Sequence, residues 1–207
     1  MPNNSSTGGY LLPLAEPAPL EGLDLNNFLQ GWIVGITGLP GAMVRPRWQA
    51  EPPNIPATGT AWAAIGTQVR PADEFPHIVH DPNACDGQGA DVLFQHEDIE
   101  ILVSFYDLGT NGQADRYAAL LRQGLAIDQN LEPLTLAGMG LIACGAPVPL
   151  PSLLKTRWLY RVDMTVSIKR EIVRIYPVQN ILSIDITLEA ENAAGAVLTR
   201  NITAQQE

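Results

Sequence analysis

From Trp158 to Ile168 the chain alternates without a break. Trp158, Tyr160, Val162, Met164, Val166 and Ile168 occupy one set of positions, and Arg161, Asp163, Thr165, Ser167 and Lys169 occupy the other. A period of two belongs to a β-strand with one face in a core and one toward water. Such a strand needs antiparallel neighbours and an apolar layer to cover it. The β-like pattern continues to residue 176, with a phase flip expected near Glu171 where Val173 and Ile175 take over. A strand that long exceeds the usual range and commonly projects from its own domain. Projecting strands offer unpaired N–H and C=O groups to a second chain.

Partners for this strand can be read on both sides. Trp62 to Val69, Phe75 to His80 and Leu141 to Cys144 read as short strands. Leu182, Ile184, Ile186 and Leu188 alternate in another, Asn192 to Gly195 is a turn, and Ala196 to Ile202 pairs back as an edge strand. Ala42 to Pro53 reads as an edge strand interrupted by Pro46, which cannot donate to a ladder. Asp91 to Tyr106 is β-like but changes phase, with Val92 and Phe94 on even positions and Ile99, Ile101, Val103 and Phe105 on odd ones. That shift is a bulge or a turn. Asp81 to Gly89 is a loop.

Two helices supply the cover. Leu25, Phe28, Leu29, Trp32, Ile33 and Ile36 recur at helical spacing from Leu25 to Thr37, with Asp24 as N-cap and Gly38 and Pro40 as the stop. Gly31 and Gly35 weaken this helix, so close packing on another backbone is expected there. A second helix is expected from Asn111 to Asn130, with a capping box at Thr110 and Gln113 and an apolar face of Tyr117, Leu120, Leu121 and Leu125; Pro133 follows its end. The fold class is therefore α+β: one antiparallel sheet packed against two α-helices, with long projecting β-segments. Residues 1–22 form an extended Pro-rich arm, either a loose tail or an arm whose leucines dock on a neighbouring subunit; residues 23–207 form the domain. An apolar content of 46% in 207 residues is enough for a core.

The composition excludes several functions. A net charge of −10 argues against wrapping nucleic acid, since phosphate binding needs clustered Lys and Arg. An acidic surface serves solubility, and equally suits DNA that must slide past without sticking. Cys85 and Cys144 match no ligand spacing and read as reduced thiols. No apolar run approaches the ~20 residues of a membrane span. Met1 to Ser6 has no basic segment of a secretory signal, so maturation in a cytoplasm is expected.

No catalytic constellation is legible. Gly109 to Gly112 lacks the lysine and spacing of a phosphate loop, and no serine sits in G-x-S-x-G. His77 and His80 are three apart, which puts them on opposite faces of a strand. The Asp81 to Asp86 stretch fails as a calcium loop, with Asp86 and Val92 where Gly and Glu are required. Asp73-Glu74 and Glu97-Asp98 read as solvated surface pairs. No catalytic, metal or cofactor residue is assigned, and no cofactor is expected. Arg45, Arg47, Arg157 and Arg161 are either ordinary solvent-facing strand arginines or the lining of a surface for an acidic partner. Trp48, Trp62 and Trp158 are core residues or, in an alternative reading, stack on a ligand in a small-molecule or carbohydrate-binding accessory module.

Several stretches in order carry a resemblance. Trp32 to Trp62 contains W-x3-I-T-G-L-P-G, R-x-R-W-Q-x-E-P-P-N-x-P and G-T-x-W. Then follow H-E-x-I-E-I-L-V-S-F-Y, Leu120 to Leu125, Asp128-Gln129-Asn130 and R-W-L-Y-R-V-D-M-T-V-S-I. Over about residues 24–190 the chain resembles phage neck terminator proteins, the gateway or tail-completion proteins of contractile-tailed phages. The resemblance implies a structural virion protein assembled in the host cytoplasm, not an enzyme. It implies a ring, usually a homohexamer, that caps the tail tube protein, joins the neck connector or collar, and contacts the sheath protein in contractile tails. Double-stranded DNA would pass through the lumen without specific binding. The subunit interface is expected at Arg45, Arg47 and Trp48 and along the long strand, at Trp158, Arg161 and Ile175.

Overall fold

The structure, a computed structural model, describes residues 3–14, 20–49, 54–109, 112–154, 156–181, 183–191 and 197–205. Two compact units divide the chain. The larger comprises residues 17–77 and 94–173, and the smaller comprises residues 1–16, 78–93 and 174–207. The architecture is α+β, with eight strands in one sheet and two in another.

The larger unit opens with α1 (Gly22–Thr37), which starts earlier than the Asp24 cap implies: Glu21 is the N-cap and Asp24 lies in the first turn. Asp24 still favours that end, because a carboxylate interacts well with the positive pole of a helix. The helix stops at Gly38, whose left-handed φ of 71° lets its N–H return to the Val34 carbonyl at 2.9 Å. β1 (Val44–Pro46) is a three-residue edge strand parallel to β2 (Trp62–Val69). The expected strand past Pro46 does not form, and residues 50–53 lie outside the described ones.

β3 (His77–Asp81) and the single turn α2 (Ala84–Gly87) lead to β4 (Ala90–Asp107), an 18-residue strand. There is no turn inside β4. Its partner β2 carries the register shift, between Thr67 and Val69. The apparent phase break arises because the odd-phase apolar run starts only at Ile99, while residues 91–95 are half-buried throughout.

The expected single second helix is two. α3 (Gln113–Gly124) ends in a turn at residues 125–127, and α4 (Asp128–Leu136) carries Pro133 inside it. Asn130 Nδ2 donates to the Gly124 carbonyl at 2.9 Å, satisfying the end of α3. The apolar phase shifts across the break, from Ala114, Ala118 and Leu121 on α3 to Leu131 and Leu134 on α4. Thr110 and Asn111 lie outside the described residues; Gln113 N–H is held by Asp107 Oδ2 at 3.2 Å.

β5 (Met139–Cys144), β6 (Val148–Pro149) and β7 (Ser152–Leu154) each pair antiparallel with β8 (Arg157–Tyr176), a 20-residue strand. The sheet order is β1-β2-β4-β8-β5. The expected phase flip near Glu171 does not occur. Arg170 and Ile172 stay buried on the even phase, and Val173 and Ile175 are only half-buried.

The three longer helices share one core with the sheet. Leu29, Trp32 and Ile33 of α1, Ala118 and Leu121 of α3 and Leu134 of α4 join Ile99 to Phe105 on odd positions of β4 and Val162 to Ile168 on even positions of β8. Burying each large side chain contributes about 1.5–3 kcal/mol. Trp32 Nε1 donates to the Asn130 carbonyl at 2.8 Å, tying α1 to α4. The close approach expected at Gly31 and Gly35 is absent, since both face open space. It occurs instead at Gly124, where a Cβ would collide with Ile36 of α1.

In the smaller unit, residues 3–14 hydrogen-bond to residues 175–179: Leu14 N–H to Ile175 O at 2.8 Å, Ser5 N–H to Pro177 O at 3.2 Å, and Gln179 N–H to Ser5 Oγ at 2.7 Å. β9 (Ser183–Glu191) and β10 (Val197–Gln205) form a nine-pair antiparallel hairpin. The expected turn at residues 192–195 lies outside the described residues.

Candidate functional site

Alternation puts two chemistries on the strands of the larger unit. Odd positions of β4 enter the helix-covered core. Even positions face the other way, and so do Arg45, Trp62, Ala64 and the odd residues of β8, by the register Arg45↔Ala64, Trp62↔Tyr106 and Ala64↔Ser104. On that second face Trp62 and Tyr106 stack at 4.0 Å with planes 7° apart. Arg45 lies over Trp62 at 5.7 Å and Arg161 over Tyr106 at 5.8 Å. The result is an arginine–tryptophan–tyrosine–arginine stack. The ring pair contributes about 0.5–1.5 kcal/mol beyond area burial, and each cation roughly 0.5–1 kcal/mol.

A polar chain runs beneath the stack. Arg47 Nη2 donates to Ser104 Oγ, and Ser104 Oγ donates to Asp163 Oδ1. Arg161 clasps the same carboxylate through Nε at 2.6 Å and through Nη2. The bond to Asp163 holds the Arg161 guanidinium above its already high pKa, so it stays charged. Ser104 and Asp163 are buried although they lie on this face, and the Arg47 and Arg161 guanidinium groups hydrogen-bond to them. Arg45 is held by the carbonyls of Ala42 at 3.1 Å and Asn54 at 3.0 Å.

This arrangement encloses a concavity of about 170 Å³ lined by Arg45, Arg47, Trp62 and Tyr106. Drug-sized ligands usually occupy roughly 300–1,000 Å³, so it is small for a sugar or cofactor. Arg47 Nε and Trp62 Nε1, both removed from solvent, have no hydrogen-bond partner among the described residues. Leaving such a donor unmade costs about 1–3 kcal/mol each.

The predicted interface residues separate. Arg45, Arg47 and Arg161 come together in this cluster. Trp48 is 66% exposed, and its ring lies against Gly66, where a Cβ would meet it at 2.6 Å. Trp158 is also 66% exposed, so neither is a core tryptophan. Arg157 donates to Thr58 Oγ1 at 3.2 Å. Ile175 belongs to the smaller unit, with its carbonyl taken by Leu14. Trp62, Tyr106, Ser104 and Asp163 were missed as partners of the arginines. The only sequence signal was that these polar and aromatic residues interrupt or oppose the apolar phase of their strands.

Glu97 corrects another expectation. It is buried rather than solvated: Arg70 Nε donates to it at 2.8 Å and Arg170 Nε at 2.7 Å. Burial pushes its carboxyl up, but the two arginines outweigh that and hold it below its ordinary value near 4.5. Arg170 also donates to the Leu20 carbonyl, ahead of α1.

The histidines do not converge. His77 sits 6.2 Å from the Phe94 ring. In the smaller unit, His80 Nδ1 meets Asp91 Oδ1 at 2.7 Å and Nε2 meets Asn180 Oδ1 at 2.8 Å. Asn180 cannot turn its amide over, because Nδ2 already donates to the Pro82 and Gly87 carbonyls at 3.0 and 3.1 Å. Both ring nitrogens therefore face acceptors, which favours the imidazolium form and raises the pKa above 6.5, through Asp91 first and Asn180 second. Among the described residues no group of three or more His, Cys, Asp and Glu could hold a metal ion. No described helix is long and apolar enough to cross a membrane.

The fold is an α+β sheet protein whose second sheet face carries an arginine–aromatic cluster. The chain belongs to the phage neck terminator protein family, whose description matches residues 23–192. That family is structural, so the protein is a component of the phage neck and of the virion. No curated protein matches the chain.

Proposed function

We propose that the chain assembles into a homohexameric ring that ends the tail tube, joins it to the neck connector or collar, and touches the sheath of a contractile tail. Family membership over residues 23–192 carries this reading. Two features support it. β9 and β10 pair only with one another among the described residues, and a lone two-stranded hairpin is marginal in water unless something covers it. A net charge of −10 suits a conduit through which DNA passes unbound. In this reading residues 23–207 are the ring-forming domain, residues 1–22 are an arm ahead of it, and assembly takes place in the host cytoplasm. Arg45, Arg47, Trp48, Trp158, Arg161 and Ile175 contribute to subunit contacts.

Electron microscopy of the purified protein, alone and with tail tubes, tests this. Six-fold rings or a cap on one tube end are expected. Monomers that ignore tubes would sink the proposal. Charge reversal at Arg45 and Arg47, with circular dichroism to check the fold because both also make bonds within their own chain, should block ring formation; rings unchanged by it would place the interface elsewhere.

A further inference from the structure

The arm of residues 3–14 is held to the smaller unit chiefly by backbone bonds. Leu14 N–H donates to the Ile175 carbonyl, Ser5 N–H donates to the Pro177 carbonyl, and Ser5 Oγ accepts from the Gln179 N–H. Main-chain bonds add a strand to a sheet edge whatever the side chains are. The arm's side chains contribute little to this seat. Residues 5–10 are all exposed, with Tyr10 at 94%, and Leu12 is 71% exposed. Beneath the arm a concavity of about 810 Å³ stays open, lined by Ser5, Ser6, His80, Val178 and Ile181. Nearby apolar groups are bare as well. Ile181 is exposed, and so are Ile78 and Val79, which as neighbours in β3 lie on opposite faces of the strand.

Charge marks the same place. Copies that each carry −10 repel one another, so they meet most readily where neither bears charge. Residues 3–14 contain no charged side chain, and neither do residues 175–179, which receive them. Arm and seat occur on every copy, so an arm from a neighbour makes the same bonds as the chain's own. An arm that crosses between copies lies at their junction, where both can cover Tyr10 and Leu12. We propose that residues 3–14 of one copy pair with residues 175–179 of the next, as a strand exchanged around the ring. The inference rests on the ring reading and deepens it, by naming the contact that joins adjacent subunits. Arms handed on in one direction make a head-to-tail contact, which closes a ring.

Cysteine cross-linking of the full chain tests this. Ser5→Cys and Gln179→Cys are placed together in a Cys85→Ser/Cys144→Ser background, because Ser5 Oγ lies 2.7 Å from the Gln179 nitrogen. Assembled protein is oxidised and run on a denaturing gel without reductant. A ladder of linked chains is expected, absent from either single-cysteine variant. Links only within one chain, or no link at all, would overturn the exchange while rings seen by electron microscopy still stood. A ladder as strong in a single-cysteine variant would mark chance collision and also overturn it. Links that stop at pairs would mean reciprocal exchange in a dimer and overturn the head-to-tail arrangement. Leu14→Pro keeps an apolar residue but removes the N–H that meets Ile175. It should weaken assembly about fivefold in sedimentation velocity, the worth of one backbone hydrogen bond, with circular dichroism unchanged; undiminished assembly would count against the pairing. A wild type that is monomeric even beside tail tubes removes the ring reading and this inference together.

Discussion

The two faces of the larger unit's sheet are built from the same strands, yet are sealed by opposite means. One face is closed by α1, α3 and α4, and Ile99, Ile101, Val103 and Phe105 are at most 1% exposed there. Glu97, a charged group of β4 on this side, is clasped by two arginines. On the other face the cover is the sheet's own long side chains, Arg45, Arg47, Trp62 and Arg161. Buried donors without a hydrogen-bond partner among the described residues occur on both faces, Arg47 Nε and Trp62 Nε1 on the second and Arg170 Nη2 on the first. The first face is sealed mainly by apolar packing, the second by stacked and hydrogen-bonded side chains.

Neighbouring residues test that contrast most directly. Phe105→Ala, on the helix side, should cost about 3–5 kcal/mol in denaturant unfolding, from lost transfer energy and the cavity left behind. A loss under 1 kcal/mol would mean the helix layer is not a fixed core. Glu97→Gln should come next, at about 1.5–3 kcal/mol, because two charged hydrogen bonds lose their acceptor's charge. Glu97 also sets an acid limit. Its folded pKa is depressed, so its contribution is present above about pH 4.5 and lost as pH falls through the lower folded value. Stability of Glu97→Gln should fall less steeply in that window, as read by thermal melts against pH; identical slopes would refute the assignment.

Ser104→Ala, one residue from Phe105 but on the second face, should cost about 1 kcal/mol. Its signature is a weakened coupling of Arg47 to Asp163, visible as non-additivity with Arg47→Lys; strict additivity would show that the polar chain does not act as a unit. The smallest effect is expected at His80, which belongs to neither face. Its folded pKa is raised, so its contribution is complete below about pH 6.5 and disappears as pH rises through the folded value. An NMR titration of His80 should give a midpoint above 6.5, and Asn180→Ala should lower it. An unshifted midpoint would remove the two-acceptor geometry.

Much of the larger unit was legible because its signals are local. Alternation along residues 158–168 announced β8, and the spacing from Leu25 to Ile36 announced α1 with its stop at Gly38. The hairpin of β9 and β10 followed from the same period of two. The break between α3 and α4 was missed although the apolar phase shifts there, from Ala114, Ala118 and Leu121 to Leu131 and Leu134, and the bulge expected in β4 belongs to its partner β2. Arg45, Arg47, Arg157 and Arg161 could be named together as strand arginines, facing solvent or lining a partner surface, because cations stand out in a chain with only 12 of them; that Arg157 leaves the other three and bonds to Thr58 was not legible. Nor were the arginines' partners.

Local periodicity thus determined most of the strands and helices and much of the helix-covered core. It depends only on neighbours within a few positions. Tertiary structure alone decided that Glu97 meets Arg170, 73 positions away, and that Ser104 meets Asp163, 59 positions away. It also put Trp62 on Tyr106 between two arginines. A charge reads as solvated until the fold supplies a partner. Whether its pKa ends above or below the ordinary value, and whether a donor finds an acceptor, depends on residues that only register and sheet order bring within reach.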